Sequence, residues 1–216
     1  MGFLCLATAS LALLPGGSAL AAQEASPLPR ITFTKTLKGS QPEYLKVRID
    51  SSGAGMYDSH KLEDPPAPRP LQISAGTAAQ IFSLAHSLND FRSVTLESRR
   101  KVANMGMKTL AYETSGQVNK VQFNYTENAT AHQLEDVFEK ISNMEERVSQ
   151  LEYGMKYDPL SLPQDLRQIL QGMDDHIFLE MELMVPTLEK ISSNPRYLHL
   201  AQSRAQEIMQ RIQENK

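Results

Sequence analysis

The sequence predicts an α+β protein: a small antiparallel sheet with one covering helix, followed by a C-terminal array of about three amphipathic helices. Two observations support this fold class. Apolar and polar residues alternate in short runs between residues 31 and 126, which is the period of half-buried strands. Residues 127–216 instead carry apolar residues three and four positions apart, which is the helical period. We therefore expect a small α+β domain over residues 31–126 and a helical region over residues 127–216.

The N-terminus has the pattern of a cleavable secretory signal peptide. Phe3 to Leu14 form an uncharged, mostly apolar run, a helix-breaking Pro-Gly-Gly follows, and Ala19-Leu20-Ala21 provides small residues for cleavage. We expect residues 1–21 to be removed and residues 22–30 to form a flexible leader. An apolar run of about a dozen residues is too short to cross a hydrocarbon core of roughly 30 Å. The sequence thus predicts an exported protein, periplasmic or secreted, with no transmembrane segment in the mature chain.

Charge and cysteine content exclude several classes of function. The formal net charge is −3, and the strongest basic cluster is Arg99-Arg100-Lys101, so no electrostatic footprint for nucleic acid is present. The only cysteine, Cys5, lies in the predicted signal peptide. Disulfide scaffolds, thiolate nucleophiles and zinc–cysteine sites are therefore excluded for the mature chain. We expect no nucleic-acid partner.

The predicted sheet begins with an alternating run over Ile31–Leu37, and a second run over Tyr44–Ile49 turns at Ser51–Gly55 into a third strand at Met56-Tyr57. His60–Pro70 contains four prolines, which lack the amide donor of a strand, so this segment is predicted to be an exposed loop. A further hairpin is predicted from the extended runs that flank Thr114–Gln117.

Helix signals follow the same logic. Ser74 is placed to cap a helix over Ala75–Leu88, which is the one helix expected to cover the sheet. Thr130 and Gln133 form a potential capping box for the first C-terminal helix. The second helix is predicted from Pro163 to Pro186, and Leu198–Ile212 supply the third.

The N-terminal hairpin carries a resemblance. Pro42, Tyr44 and Ile49-Asp50 lead into the turn and the strand at Met56-Tyr57, and a strand, Ser74 and a helix follow. This arrangement over residues 31–95 resembles exported bacterial domains of unknown function. Some of those domains have cysteines before the proline, where this chain has Lys38–Gln41. The resemblance implies export and a small α+β domain, and it brings no catalytic residues with it.

One group of residues suggests metal chemistry. His176 and Glu180 are four residues apart, so on a continuous helix they would share a face, with Asp175 beside them. Two such groups can contact one cation, although a zinc site needs at least three protein ligands. The simpler interpretation is a solvated acidic face of the second helix. No glycine-rich cradle or other cofactor motif accompanies this group, so no cofactor is predicted.

The first C-terminal helix has a heptad-like apolar stripe. We predict an interaction face for another protein or a second copy of the chain, formed by Val137, Ile141, Met144, Val148 and Leu151. The function predicted from these observations is a non-catalytic binding or interaction module of the periplasm or cell exterior. An exported hydrolase or metal-dependent enzyme, with a site assembled from residues distant in sequence, is the alternative.

Overall fold

The computed structural model describes Met1 and residues 27–214 of the chain. The predicted signal peptide after Met1, and residues 22–26 of the predicted leader, lie outside the described residues. The strands of the described part are β1 (Arg30–Thr36), β2 (Tyr44–Asp50), β3 (Ala54–His60), β4 (Arg69–Gln72), β5 (Met107–Thr114) and β6 (Gln117–Phe123). The α-helices are α1 (Ala75–Ser87), α2 (Ala129–Tyr157), α3 (Leu162–Asp174), α4 (Val185–Ser193) and α5 (His199–Glu214), with 3-10 turns at Asn89–Phe91 and Met181–Met184.

The six strands form one antiparallel sheet in the order β4-β3-β2-β1-β5-β6. Both predicted hairpins are confirmed, as β2–β3 and β5–β6. Gly53 closes the first hairpin with a φ of +83°, and a Cβ atom there would lie 2.6 Å from the Ile73 carbonyl oxygen. Only glycine fits that turn without strain. The predicted α+β class is thus the observed one.

The predicted proline-rich loop ends earlier than expected, because β4 begins at Arg69 and includes Pro70. Pro70 is paired with Met56 of β3, and β4 is the last strand on that side of the sheet. A strand at the edge can include proline, since its outward side needs no amide donor. This small addition matters for the site, because it places Arg69 on the helix-covered face of the sheet beside Tyr57.

Two helices, rather than the predicted one, cover the same face of the sheet. Helix α1 is capped as expected, with the Thr77 amide donating to Ser74 Oγ, and it packs through Ala78, Ile81 and Ala85. The first half of α2 lies beside it on the sheet. The Phe138 ring of α2 stacks on Phe33 of β1 with centroids 5.2 Å apart.

Helix α2 spans 29 residues and links two hydrophobic cores. Leu134 and Phe138 belong to the sheet core, whereas Met144, Val148 and Leu151 belong to a second core formed with the C-terminal helices. The predicted capping box is wrong: the helix begins one residue before Thr130, and the Ala131 amide donates to Asn128 Oδ1. Of the helices that the structure describes, none is long and apolar enough to cross a membrane.

The predicted helix from Pro163 to Pro186 is two helices, so the described C-terminal region has four α-helices and not about three. Helix α3 ends at Asp174, and the chain then passes through positive φ angles at His176 and Glu180. The Phe178 ring packs over Gly172, where a Cβ atom would lie 2.4 Å from Phe178 Cε2. This contact folds the connector back onto α3. Pro186 lies in the first turn of α4, where its missing amide is tolerated.

We predict that Phe138→Ala removes much of the chain's stability, because Phe138 is fully buried and stacked on Phe33. The expected loss in free energy of unfolding is about 3–5 kcal/mol. The matched control is Tyr157→Ala on the same helix, because the Tyr157 side chain is exposed; its change should stay within about 0.5 kcal/mol. Urea unfolding monitored by circular dichroism measures both. Equal effects of the two variants would contradict this account of α2.

Candidate functional site

An open groove of about 880 Å³ lies between α2 and the neighbouring ends of β1, β2 and β3. Leu45, Tyr57 and Ser59 line it from the sheet, and their side chains lie on the same face because residues two apart in a strand point the same way. Helix α2 supplies the opposite wall. The groove therefore combines a sheet surface with a helix surface, each rigid in itself.

The helix wall is a polar stripe that runs parallel to the apolar stripe of α2. Its members follow one another at spacings of four, three, four and three residues, so they share one side of the helix. We define the polar stripe as Glu139, Asn143, Glu146, Gln150 and Tyr153, all of which line the groove. The apolar stripe lies two residues earlier in the heptad and is buried in the cores. One helix thus uses one side for folding and exposes another along the groove.

Glu146 is at the centre of the groove. Tyr57 Oη donates to Glu146 Oε2 at 3.4 Å, and Ser59 Oγ donates to the same oxygen at 3.3 Å. Burial raises the pKa of Tyr57, and the charge of Glu146 adds to this effect, so the phenol remains a hydrogen-bond donor. Among the ion pairs of the described residues, none includes Glu146. Its carboxylate therefore has only two long hydrogen bonds from hydroxyl groups.

The two ends of the polar stripe differ in chemistry. At one end, Lys35 of β1 forms an ion pair with Glu139, so both charges are already matched. At the other end, the ring of Tyr153 lies 4.9 Å from that of Tyr157, and Tyr153 is 62% exposed. The groove therefore runs from a neutralised polar end to an exposed aromatic end, with an unmatched carboxylate between them.

Arg69 fixes the helix wall relative to the sheet wall. Its guanidinium donates to Glu145 Oε2 at 2.9 Å, to Ser149 Oγ at 2.6 Å and to Glu152 Oε2 at 3.2 Å. The same group lies over the Tyr57 ring, 5.7 Å from its centroid. One side chain of an edge strand thus holds three residues of α2 and supports the floor of the groove.

A second anchor lies further along α2. Lys108 of β5 has only 5% of its side chain exposed and places Nζ 2.9 Å from Glu135 Oε1. The same ammonium donates to the Asn124 carbonyl at 3.0 Å. A buried ion pair with further hydrogen bonds is strongly geometry-dependent, because neither charge has water as an alternative partner. Lys108 and Arg69 therefore attach α2 to β5 and to β4, on either side of the sheet centre.

The predicted metal group does not assemble. Because α3 ends at Asp174, His176 and Glu180 do not share a helix face, and Asp175 and His176 are exposed. Glu180 is buried and accepts hydrogen bonds from the Ser74 amide at 2.8 Å and from Ser74 Oγ at 2.7 Å. Within residue 1 and residues 27–214, no group of three or more His, Cys, Asp or Glu residues is arranged to hold a metal ion. The metal prediction is therefore wrong, and Glu180 instead ties the α3–α4 connector to the start of α1.

The predicted interaction face is not a free surface either. All its residues are at most 8% exposed, and they pack inside the chain: Val137, Ile141, Met144, Val148 and Leu151. The stripe is filled by the sheet and by the C-terminal helices, so a second subunit has no access to it. A helical period identifies the side of α2 that is covered, and it does not say what covers it.

The functional residues that sequence reasoning missed are Tyr57, Ser59 and Glu146. A signal for the helix side was present, because the polar stripe has the same spacing as the apolar stripe and is offset by two residues. No local signal could have joined Glu146 to Tyr57, since 89 residues separate them.

Comparison with known proteins gives no relative. No family model matches the chain, and no curated protein is significantly similar to it. The resemblance of residues 31–95 to exported bacterial domains therefore stays a prediction. The fold and the groove define an α+β protein with an open polar groove between a helix and an antiparallel sheet.

We predict that Glu180→Ala lowers the free energy of unfolding by about 1–3 kcal/mol, because it removes a buried acceptor of two hydrogen bonds. Glu182→Ala, an exposed glutamate two residues away, is the matched control and should change it by less than about 0.5 kcal/mol. Thermal unfolding monitored by circular dichroism measures both. Stabilisation of the wild type by added zinc that disappears in Glu180→Ala would support the metal interpretation instead.

The pH dependence of stability should depend on Glu145. Burial raises its pKa above the ordinary value of 4.5; Arg69 lowers it and Glu152 raises it to a smaller extent. A raised folded-state pKa means that the folded chain binds more protons than the unfolded chain, so this stabilisation is present at low pH and is lost as pH rises through the folded-state pKa. We expect Glu145→Gln to gain stability relative to the wild type between about pH 4 and pH 7.

Urea unfolding of both proteins across that range measures the difference. Glu182→Gln, which changes an exposed glutamate, should run parallel to the wild type. A Glu145→Gln curve that also runs parallel to the wild type would show that Glu145 titrates normally in the folded chain.

Proposed function

We propose that the mature chain is an exported, non-catalytic binding module whose ligand occupies the groove between α2 and strands β1–β3. The observation that carries the proposal is the polar stripe of α2, which faces an open groove and is not needed for the cores. Its central carboxylate, Glu146, and the hydroxyls of Tyr57 and Ser59 provide an acceptor and donors at one place. Ligand sites of this kind pair a mostly preformed concavity with a few convergent polar groups.

Export is supported by the sequence alone. The apolar run, the helix breaker and the small residues before Ala22 fit a secretory signal peptide, and the chain after the expected cleavage site has no cysteine. A ligand of this protein would accordingly be encountered in the periplasm or outside the cell.

The groove also meets the mechanical requirements of a binding site. Arg69 holds Glu145, Ser149 and Glu152 of α2 on one side, and the Tyr57 ring packs beneath the same guanidinium. Preorganised walls reduce the entropy lost when a ligand binds, because few side chains need to be ordered. The groove is thus supported from behind by contacts that a ligand does not have to form.

The test is two-dimensional amide NMR of the ¹⁵N-labelled chain from Ala22 onward. Three probes are titrated separately: a pool of N-acetylated hexapeptide amides, maltohexaose and sodium decanoate. We expect at least one probe to shift the amides of Ser59, Asn143 and Gln150 together, since these residues line the groove.

Two variants localise the effect. Ser59→Lys places an ammonium where the hydroxyl now lies 3.3 Å from Glu146, so it should close the groove centre and abolish the shifts. Ser83→Lys puts the same side chain on the exposed surface of α1 and should leave the shifts intact. If no probe shifts the groove amides, or if the shifts survive Ser59→Lys, the proposal is wrong.

A further inference from the structure

We propose that the groove binds an extended polypeptide segment of about six residues, with a central lysine or arginine whose cationic group pairs with Glu146. This inference rests on the proposed function of the groove and names the chemical class of its ligand. It follows from the length of the polar stripe, the distribution of charge along it and the groups that surround Glu146.

Length is the first argument. The polar stripe runs from Glu139 to Tyr153, which is about 21 Å along the axis of a helix that rises 1.5 Å per residue. An extended chain covers about 3.3 Å per residue, so about six residues match the stripe from end to end. The groove is open along its helix wall, and an extended segment can therefore lie beside α2 without entering the cores.

Charge is the second argument. Lys35 already pairs with Glu139, and Arg69 pairs with Glu145 and Glu152. Glu146 is the carboxylate of the polar stripe that has no cationic partner among the described residues, and its hydroxyl contacts are long at 3.3 and 3.4 Å. A carboxylate accepts a stronger hydrogen bond from an ammonium or guanidinium than from a neutral hydroxyl. A cationic side chain is therefore the group that complements the groove centre.

Position is the third argument. Glu146 lies seven residues from each end of the polar stripe, or about 10 Å in each direction. A segment of about six residues that fills the groove thus brings its third or fourth residue next to Glu146. Tyr153, which is 62% exposed, offers an aromatic surface to an apolar side chain at one end of the segment. The site accordingly predicts a cation in the middle and not at a terminus.

The test uses a positional-scanning library of N-acetylated hexapeptide amides, which carry no terminal charges, and the chain from Ala22 onward. Binding is measured by fluorescence anisotropy. We expect lysine or arginine at the third or fourth position to increase affinity about tenfold over norleucine, equivalent to about 1.4 kcal/mol. The same residues at the first or sixth position should have little effect.

Variants at Glu146 separate the charge from the shape of the groove. Glu146 is exposed, so Glu146→Gln should fold normally and bring the preference for lysine or arginine to about unity. Glu146→Lys should reverse the preference toward aspartate or glutamate. Glu182→Gln removes one negative charge outside the groove and should leave the preference unchanged. Thermal unfolding of each variant checks that the fold is retained.

The outcomes distinguish this inference from the proposed function. Groove amide shifts with hexapeptides that show no cationic preference, or a preference that survives Glu146→Gln, would overturn the inference and leave the binding module in place. Groove binding by maltohexaose or decanoate, but not by the peptides, would do the same. The absence of groove shifts with all three probes would overturn both.

Discussion

Phe138 stacks on Phe33 where α2 crosses the sheet, and the rest of the structure depends on this crossing. Both rings are fully buried, so the contact fixes the helix to the central strand β1. From that point α2 continues past the sheet and supplies Met144, Val148 and Leu151 to the second core. Because one continuous helix belongs to both cores, the sheet and the C-terminal helices cannot move independently without bending α2. The boundary predicted at residue 127 therefore falls just before an element that joins the two parts.

Polar contacts set the angle at which α2 lies on the sheet. Lys108 pairs with Glu135 near the beginning of the helix, and Arg69 holds Glu145 and Glu152 beyond the crossing point. Paired charges with little exposure tolerate few geometries, because each displaced group would lose its partner without gaining full hydration. Apolar packing alone allows a helix to slide or rotate over a sheet by small amounts. The two anchors, on opposite sides of the crossing, restrict both movements and so define the width of the groove.

Much of the fold was predictable from the sequence because strand alternation and turn residues are local signals. Gly53 and Gly116 take the positive φ angles that their turns require, and Ser74 caps α1 as predicted. The prediction failed where contacts between distant residues decide the structure. The stretch after Asp174 has a helical period, yet Phe178 packs on Gly172 and Glu180 binds Ser74, 106 residues away. These contacts stabilise positive φ angles that no local preference favours.

The candidate site shows the same division. The polar stripe of α2 could be read from spacing alone, whereas its apposition to Tyr57 and Ser59 depends on the crossing angle. The two stripes also explain why the predicted interaction face and the proposed groove lie on one helix. An apolar stripe on a long helix is the part that folding covers first, since its burial drives the packing. The polar stripe beside it remains exposed, and a change such as Glu146→Gln can therefore alter binding without the large loss of stability expected for Phe138→Ala. Binding and folding can thus be tested separately on the same element.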